Sequence, residues 1–419
     1  MTKTKTIFSH PTGNQNVRSV VEALQREDIL QQFYTSVAVF EGDLYDRLAK
    51  IKPFSDLRKR KFEQSLKPYT KKYPYKEFIR TFAIKAGLPQ WVASEDNQYS
   101  IDTIYRFLDE KVAQKIRSQK SSSMRSVYAY EDGALHSFRA ARKKGIIALY
   151  DLPIGYWRTA RKLLGEELQK QPEWANTLTG FQDSEQKLQR KDEELQLADH
   201  IFVASQFSAN SLKDYPSELA PIHIIPYGFP EVGAARVYNF HTTKRPLKLL
   251  FVGGLSQRKG IAYLLEAVKK LGEKVTLTIV GRKATEDCAV LNEALSKHHW
   301  IPSLSHPDIL KLMRTQDVLV FPSLFEGFGL VITEAMSQGT PVITTNRTAG
   351  PDLITNNVDG WLIEAGSTLA LQEKIEKLLA RPATIAEVGK AAMERARQRP
   401  WEVYGKEIAD TIRTILSQR

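Results

Sequence analysis

The 419-residue chain contains one cysteine, Cys288. An intramolecular disulfide is therefore excluded, and no cysteine cluster is available to hold a metal centre. No window approaches the roughly 18 apolar residues needed to cross a bilayer. The opening Met1-Thr-Lys-Thr-Lys-Thr-Ile-Phe lacks the apolar stretch of a signal peptide, so a cytoplasmic setting is expected. The first predicted turn carries a single glycine, Gly13, which rules out a dinucleotide G-x-G-x-x-G fingerprint there. Internal repeats, low-complexity tracts and recognised nucleic-acid motifs are also missing, and no nucleic-acid partner is expected.

What the chain does have is an ordinary soluble composition, 42% hydrophobic and 26% charged, with a formal charge of +12. Its length suffices for two domains with substantial cores. The positive charge is local. Between Arg47 and Lys85 there are 13 Lys/Arg against 3 Asp/Glu, nearly the whole excess. That stretch lies in a segment of about 42–120 that reads as mostly helical without a clear strand. Aromatics such as Phe54, Phe62, Tyr73, Phe82 and Trp91 are interleaved with the cations. Such a segment is read as a solvated helical face over an aromatic core, as a surface for an anionic membrane or acidic acceptor, or as a nucleic-acid contact. Membrane contact would make the protein peripheral at the inner face.

On either side of that segment, short apolar strands alternate with helices, the pattern of parallel α/β sheets. Predicted strands include Thr6–Ser9, Tyr34–Phe40, Arg125–Tyr130, Ile146–Tyr150, Ala198–Ala204 and Ile222–Pro226. Asn16, Ser205 and Ser305 are candidate helix caps, and 158–197 reads as one long charged helical stretch. Residues 232–244 look like an interdomain linker. The expected domains are 1–235 with the basic insert, 245–398, and a last helix over 399–419.

The second half holds three strand–turn–helix units. Leu247–Val252 runs into Gly253-Gly254-Leu-Ser-Gln-Arg-Lys-Gly260, a plausible diphosphate cradle through Arg258 and Lys259. Val275–Val280 ends at Gly281. The third unit is Phe321-Pro-Ser-Leu-Phe-Glu-Gly-Phe-Gly-Leu-Val-Ile-Thr-Glu-Ala-Met336. A buried strand stops at Pro322, glycines 327 and 329 form a turn, and a helix over 330–337 ends at Gly339. Glycine turns and helix N-termini present free N–H groups to anions, while Glu326 and Glu334 accept from hydroxyls. A phosphate flanked by polyols, as in a nucleotide sugar, fits that combination.

These segments, with Ile224-Ile-Pro-Tyr-Gly228 and Trp401-Glu402, resemble the retaining glycosyltransferases of the GT-B fold, family four. The resemblance is strongest over 198–363 and absent from 42–120. It implies two Rossmann-like domains facing across a cleft, the first for the acceptor and the second for a UDP- or GDP-linked donor. It implies that Lys259 and Arg258 neutralise the leaving diphosphate, that Glu334 takes the ribose, and that Glu326 takes hydroxyls of the transferred sugar. Gly13, Gly254, Gly281 and the run Gly327, Phe328, Gly329, Leu330 would line the donor site. No cofactor and no metal are expected, since no Asp-x-Asp flanks the motif. Two departures stand out. The family usually carries an arginine where this chain has Gly254, and Arg258 is the nearest substitute. Many relatives have a His-Asp dipeptide on the acceptor side where this chain has Tyr150-Asp151, which makes Asp151, His10 and His136 the candidates there. A phosphorylase or epimerase on the same fold, and a non-catalytic binding module, are the competing readings.

Overall fold

The computed structural model describes residues 4–119, 123–238 and 245–418. Two all-parallel sheets organise it. The first contains β1 (Lys5–Ser9), β2 (Leu30–Thr35), β3 (Thr70–Lys72), β4 (Met124–Tyr130), β5 (Ile147–Leu152), β6 (His200–Val203) and β7 (Ile222–Ile224), in the order β3-β2-β1-β4-β5-β6-β7. The second contains β8 (Leu247–Val252), β9 (Val275–Val280), β10 (His299–Ile301), β11 (Val318–Phe321), β12 (Val342–Thr345) and β13 (Trp361–Ile363), in the order β10-β9-β8-β11-β12-β13. These are two Rossmann-like domains, as expected. The central strands β1, β4, β8 and β11 are buried along nearly their whole length, because helices cover both faces of a parallel sheet.

In each sheet the strand order reverses at one point, between β1 and β4 and between β8 and β11. Loops leaving the carboxyl ends of strands diverge there and open a crevice. The turn after β1 lies at the first switch point and the turns after β8 and β11 at the second, so topology gathers Lys259 and Glu326 in the second domain.

The basic segment departs from the expectation of a mostly helical stretch without a strand. It contains short 3-10 and α-helical pieces, but Thr70–Lys72 forms β3 and pairs in parallel with Phe33–Thr35 of β2. A three-residue Thr-Lys-Lys edge strand has no apolar alternation for the sequence to display, and edge lysines discourage further pairing. The stretch 158–197 is likewise not one helix. Two 3-10 pieces, Pro172–Thr177 and Thr179–Gln182, divide Trp157–Lys170 from Glu185–Leu197. The first helix begins at Gln15 with Asn14 at its cap position, not Asn16. Ser205 and Ser305 do cap their helices, accepting from the backbone N–H of Ser208 and Asp308.

The expected linker lies partly outside the described residues. Its described part is strapped to the second domain: Gly233 N–H donates to Ser337 O, Arg236 donates to Gly339 O and Thr340 Oγ1, and the Tyr238 hydroxyl donates to Gly339 O. The last helix, Trp401–Ser417, crosses back to the first domain as expected. Gly405 allows its backbone to lie against the helix Gln15–Arg26, where a Cβ would stand 2.3 Å from Ser19 O.

Candidate functional site

Gly260 sets the position of the cationic turn after β8. Its φ is +69°, and a Cβ there would stand 2.1 Å from Pro322 O, so the β8 and β11 turns pack with no side chain between them. This close packing brings Arg258 and Lys259 to Glu326. The Lys259 ammonium donates to Glu326 Oε2, and Arg258 Nη1 donates to the same oxygen at 3.0 Å and to Phe325 O at 2.9 Å. Gln257, fully buried, fixes the turn from below: its Nε2 donates 2.6 Å to Glu167 Oε1 and its Oε1 accepts from Ala262 N–H.

Burial and the adjacent Arg258 guanidinium lower the Lys259 pKa from 10.5 to about 6. Contact with Glu326 opposes that shift. The downward direction holds because two cations share one carboxylate oxygen inside an enclosed site. The group is therefore a cation held back from full protonation, and a second anion would restore it.

A cavity of about 620 Å³ opens over this pair. Gly254, Arg258, Lys259, Glu326, Phe328, Gly329 and Leu330, all singled out in the sequence, line it. Gly329, at φ +90°, stands at the cap position of the helix Leu330–Ser337, so the helix's first N–H groups face the cavity with no capping side chain. Gly254 has nothing within 4 Å of where its Cβ would be, which leaves the position of the expected arginine open. Asn16, Ser256 and Thr179 also line the cavity and were not singled out as site residues, since each is an ordinary polar side chain without charge, although Ser256 lies within the Gly253–Gly260 turn.

Other predicted residues fall elsewhere. Gly327 makes one of the contacts between the domains: its carbonyl accepts from Ser205 Oγ at 2.5 Å and Ser208 Oγ at 3.1 Å. Gly281 supports the turn from behind, where a Cβ would meet Gly253 O at 1.8 Å. Gly13 lines an adjoining cavity instead, its Cβ position filled by the Phe62 ring at 2.4 Å. Glu334 lies on the same helix as Leu330, with Oε1 3.1 Å from His306 Nε2, and that hydrogen bond raises the imidazole pKa.

The acceptor-side candidates need correction. Asp151 does not reach either cavity. Its carboxyl is 3% exposed and accepts from the Tyr128 hydroxyl at 2.6 Å, because its register on β5 turns it into the aromatic core. Burial raises its pKa to about 7. His10 is also buried, and its Nδ1 accepts from the backbone N–H of Thr12 and Gly13, so it shapes the first turn as a neutral imidazole. Burial and the nearby Arg60 lower its pKa to about 3. His136 sits on the helix Leu135–Lys144, 3.9 Å from Glu110, and lines neither cavity. No group of three or more His, Cys, Asp or Glu positioned to hold a metal occurs among the described residues.

Residues 239–398 match the family model "Glycosyl transferases group 1". Among curated proteins, the capsular polysaccharide biosynthesis glycosyltransferase CapM of Staphylococcus aureus is 34% identical over 135 residues, 31% of this chain and 36% of that protein. The chain spans about two fifths of the length of the first curated relatives it matches. Among solved structures, sucrose-phosphate synthase of Thermosynechococcus elongatus superposes with a TM-score of 0.65 over 100% of both chains at 18% identity. Anabaena HepE in complex with UDP gives 0.62 over 98% of this chain and 100% of that one, at 16% identity. At these identities the likeness is one of fold, the GT-B arrangement.

Proposed function

With its second domain a member of the glycosyl transferases group 1 family, we propose that this chain moves a sugar from a nucleotide-sugar donor to an acceptor with retention of anomeric configuration. The observation that carries the reading is the convergence of Lys259, Arg258 and Glu326 beneath an open helix N-terminus at the carboxyl ends of β8 and β11. Every part of that set addresses a diphosphate joined to polyols. HepE, which shares the fold, has been solved in complex with UDP and with UDP-glucose, so a UDP-linked donor is the first to test.

When the donor's anomeric C–O bond breaks, its electron pair goes to the diphosphate. Lys259, Arg258 and the N–H groups of the Gly329–Leu330 turn stand where that charge develops, and fixed donors of this kind supply most of the rate in such sites. In the donor-free arrangement Glu326 is the counterion of both cations. A diphosphate displaces it, and the freed carboxylate accepts from hydroxyls of the transferred sugar. Glu334, steadied by His306, accepts from the ribose. The chemistry asks nothing of a metal, and a chelator is expected to leave turnover intact.

The acceptor is a glycolipid, polysaccharide or small molecule bound by the first domain. The basic segment exposes Phe54, Phe82, Ile84 and Trp91 among its cations, which suits contact with an anionic membrane surface. Such contact predicts retention on anionic vesicles at low salt and release at high salt; equal retention on neutral vesicles rejects it. The function itself is tested by incubating the protein with UDP- and GDP-sugars and following nucleoside diphosphate release. Sugar phosphate appearing only when inorganic phosphate is supplied would show a phosphorylase instead.

A further inference from the structure

The donor cavity is not closed on its first-domain side. Asn14 and Leu330 line both it and a second cavity of about 880 Å³ walled by the first turn and the basic segment. Five cations, Arg18, Lys59, Arg60, Arg80 and Lys85, face this second cavity, against two carboxylates, Asp56 and Glu77. Both carboxylates are engaged. Asp56 pairs with Lys59 and Lys85, each at 3.0 Å. Glu77 accepts from Arg80 Nε at 2.8 Å, Arg80 Nη2 at 3.0 Å and Arg60 Nη2 at 3.2 Å.

That leaves the Arg60 guanidinium with one hydrogen bond among the described residues, although the side chain is only 21% exposed. Arg18 donates to two backbone carbonyls, Gly13 O and Lys59 O at 3.1 and 2.7 Å, and to no carboxylate. Burial and mutual repulsion press on both: each guanidinium has its pKa lowered, Arg18 by Arg60 and Arg60 by Arg80, after desolvation. Lys59 and Lys85 are solvent-exposed and pair with Asp56. The enclosed excess is therefore Arg18, Arg60 and Arg80 against Glu77 alone, and cations are costly to enclose without a counterion. A surplus of more than one charge calls for a dianion rather than a carboxylate, and planar guanidiniums match phosphate oxygens in pairs.

We propose that this second cavity binds a phosphate group carried by the acceptor, held by Arg60, Arg18 and Lys59, so that the acceptor's reacting hydroxyl reaches the donor sugar past Asn14 and Leu330. The proposal rests on the donor reading for its direction, but its ligand chemistry is independent of it. Phe54, Leu57, Phe78 and Ile84 add apolar surface to the wall and take the uncharged part of the acceptor. The phosphate belongs either to a soluble sugar or polyol phosphate or to a lipid headgroup, and the recognition is the same.

The test is calorimetric titration of the full chain, saturated with UDP to block the diphosphate site, with glycerol 3-phosphate and with glycerol. In parallel, phosphatidylcholine vesicles with and without phosphatidic acid are assayed for retention. The proposal expects glycerol 3-phosphate or phosphatidic acid to bind and glycerol and pure phosphatidylcholine not to. It expects Arg60→Gln to weaken that binding about tenfold or more, with Arg60→Lys intermediate and both variants unfolding cooperatively near the wild-type temperature. Binding of glycerol 3-phosphate identifies a soluble acceptor; binding of phosphatidic acid alone identifies a lipid-linked one. No phosphate-dependent binding, or binding that Arg60→Gln leaves unchanged, overturns the proposal. UDP binding without phosphate binding overturns this inference alone, whereas failure of every nucleotide to bind in the preceding saturation step would overturn the donor reading.

Discussion

Gly327 in the second domain lies so close to Ile154 in the first that a Cβ on it would stand 2.5 Å from the Ile154 Cα and 2.4 Å from Pro153 O. The sugar-side turn and the first domain therefore meet backbone to backbone, with Ser205 and Ser208 clasping the Gly327 carbonyl. Gly327→Ala should hold the domains apart and lower turnover at least about tenfold, since small misplacements at a reacting centre are that costly. Its thermal midpoint should fall somewhat while unfolding stays cooperative, because one buried apolar cluster runs through both domains where Tyr227 packs on Phe328. Wild-type turnover in this variant would contradict a closed cleft as the working arrangement.

Glu326 and Lys259 make separable predictions. Removing the Lys259 ammonium takes a fixed charge from the leaving diphosphate and should reduce kcat by about 10²–10³. Glu326→Ala removes the carboxylate that restrains both cations, so nucleoside diphosphate should bind at least as tightly while transfer of the sugar falls. Titration of UDP into the variant, beside its turnover, separates the two effects. Weaker UDP binding in Glu326→Ala would show that Glu326 is not competing with the diphosphate.

Protonation gives a third check. With the Lys259 pKa lowered to about 6 in the free protein, the amine is largely neutral at pH 8. A bound diphosphate favours the ammonium and raises that value, so binding at pH 8 takes up a fraction of a proton and weakens as pH rises further. Calorimetric enthalpies measured in two buffers of different ionisation heat should differ, and Lys259→Ala should remove the difference. Equal enthalpies in the wild type would contradict the depressed lysine.

Asp151 predicts a pH effect on stability instead of catalysis. Its folded pKa, about 7, lies above the ordinary 3.8, so its contribution is most favourable at low pH and is lost as pH rises between those values. Asp151→Asn keeps an acceptor for the Tyr128 hydroxyl without the ionisation. The melting temperature of the variant relative to wild type should therefore increase between pH 5 and pH 8. A constant difference would mean that Asp151 titrates normally.

Much of the second domain was legible in the sequence because its information is local. Strand, breaker, glycine turn and helix follow one another within 317–339, and the helix 330–337 has the predicted bounds. Arg258, Lys259 and Glu326 were found because charge and glycine punctuation coincide with strand ends. The first domain was less legible. Asp151 stood as an acceptor-side candidate by the resemblance, and only the register of β5 against β4 shows that it faces the tyrosines of β4. The basic segment announced itself by charge, but the pairing of Glu77 with Arg60, 17 residues away, and the packing of Phe62 on Gly13 join residues separated in the chain. The second domain's hold on 233–238 was hidden for the same reason.

The most direct test of the account is UDP titration into the wild type and into Lys259→Ala at a pH near 7, under identical salt. The account predicts saturable binding by the wild type, weakened about tenfold or more by loss of this buried, charge-assisted contact. Equal affinities, with both proteins folded, would contradict the placement of the donor diphosphate on Lys259.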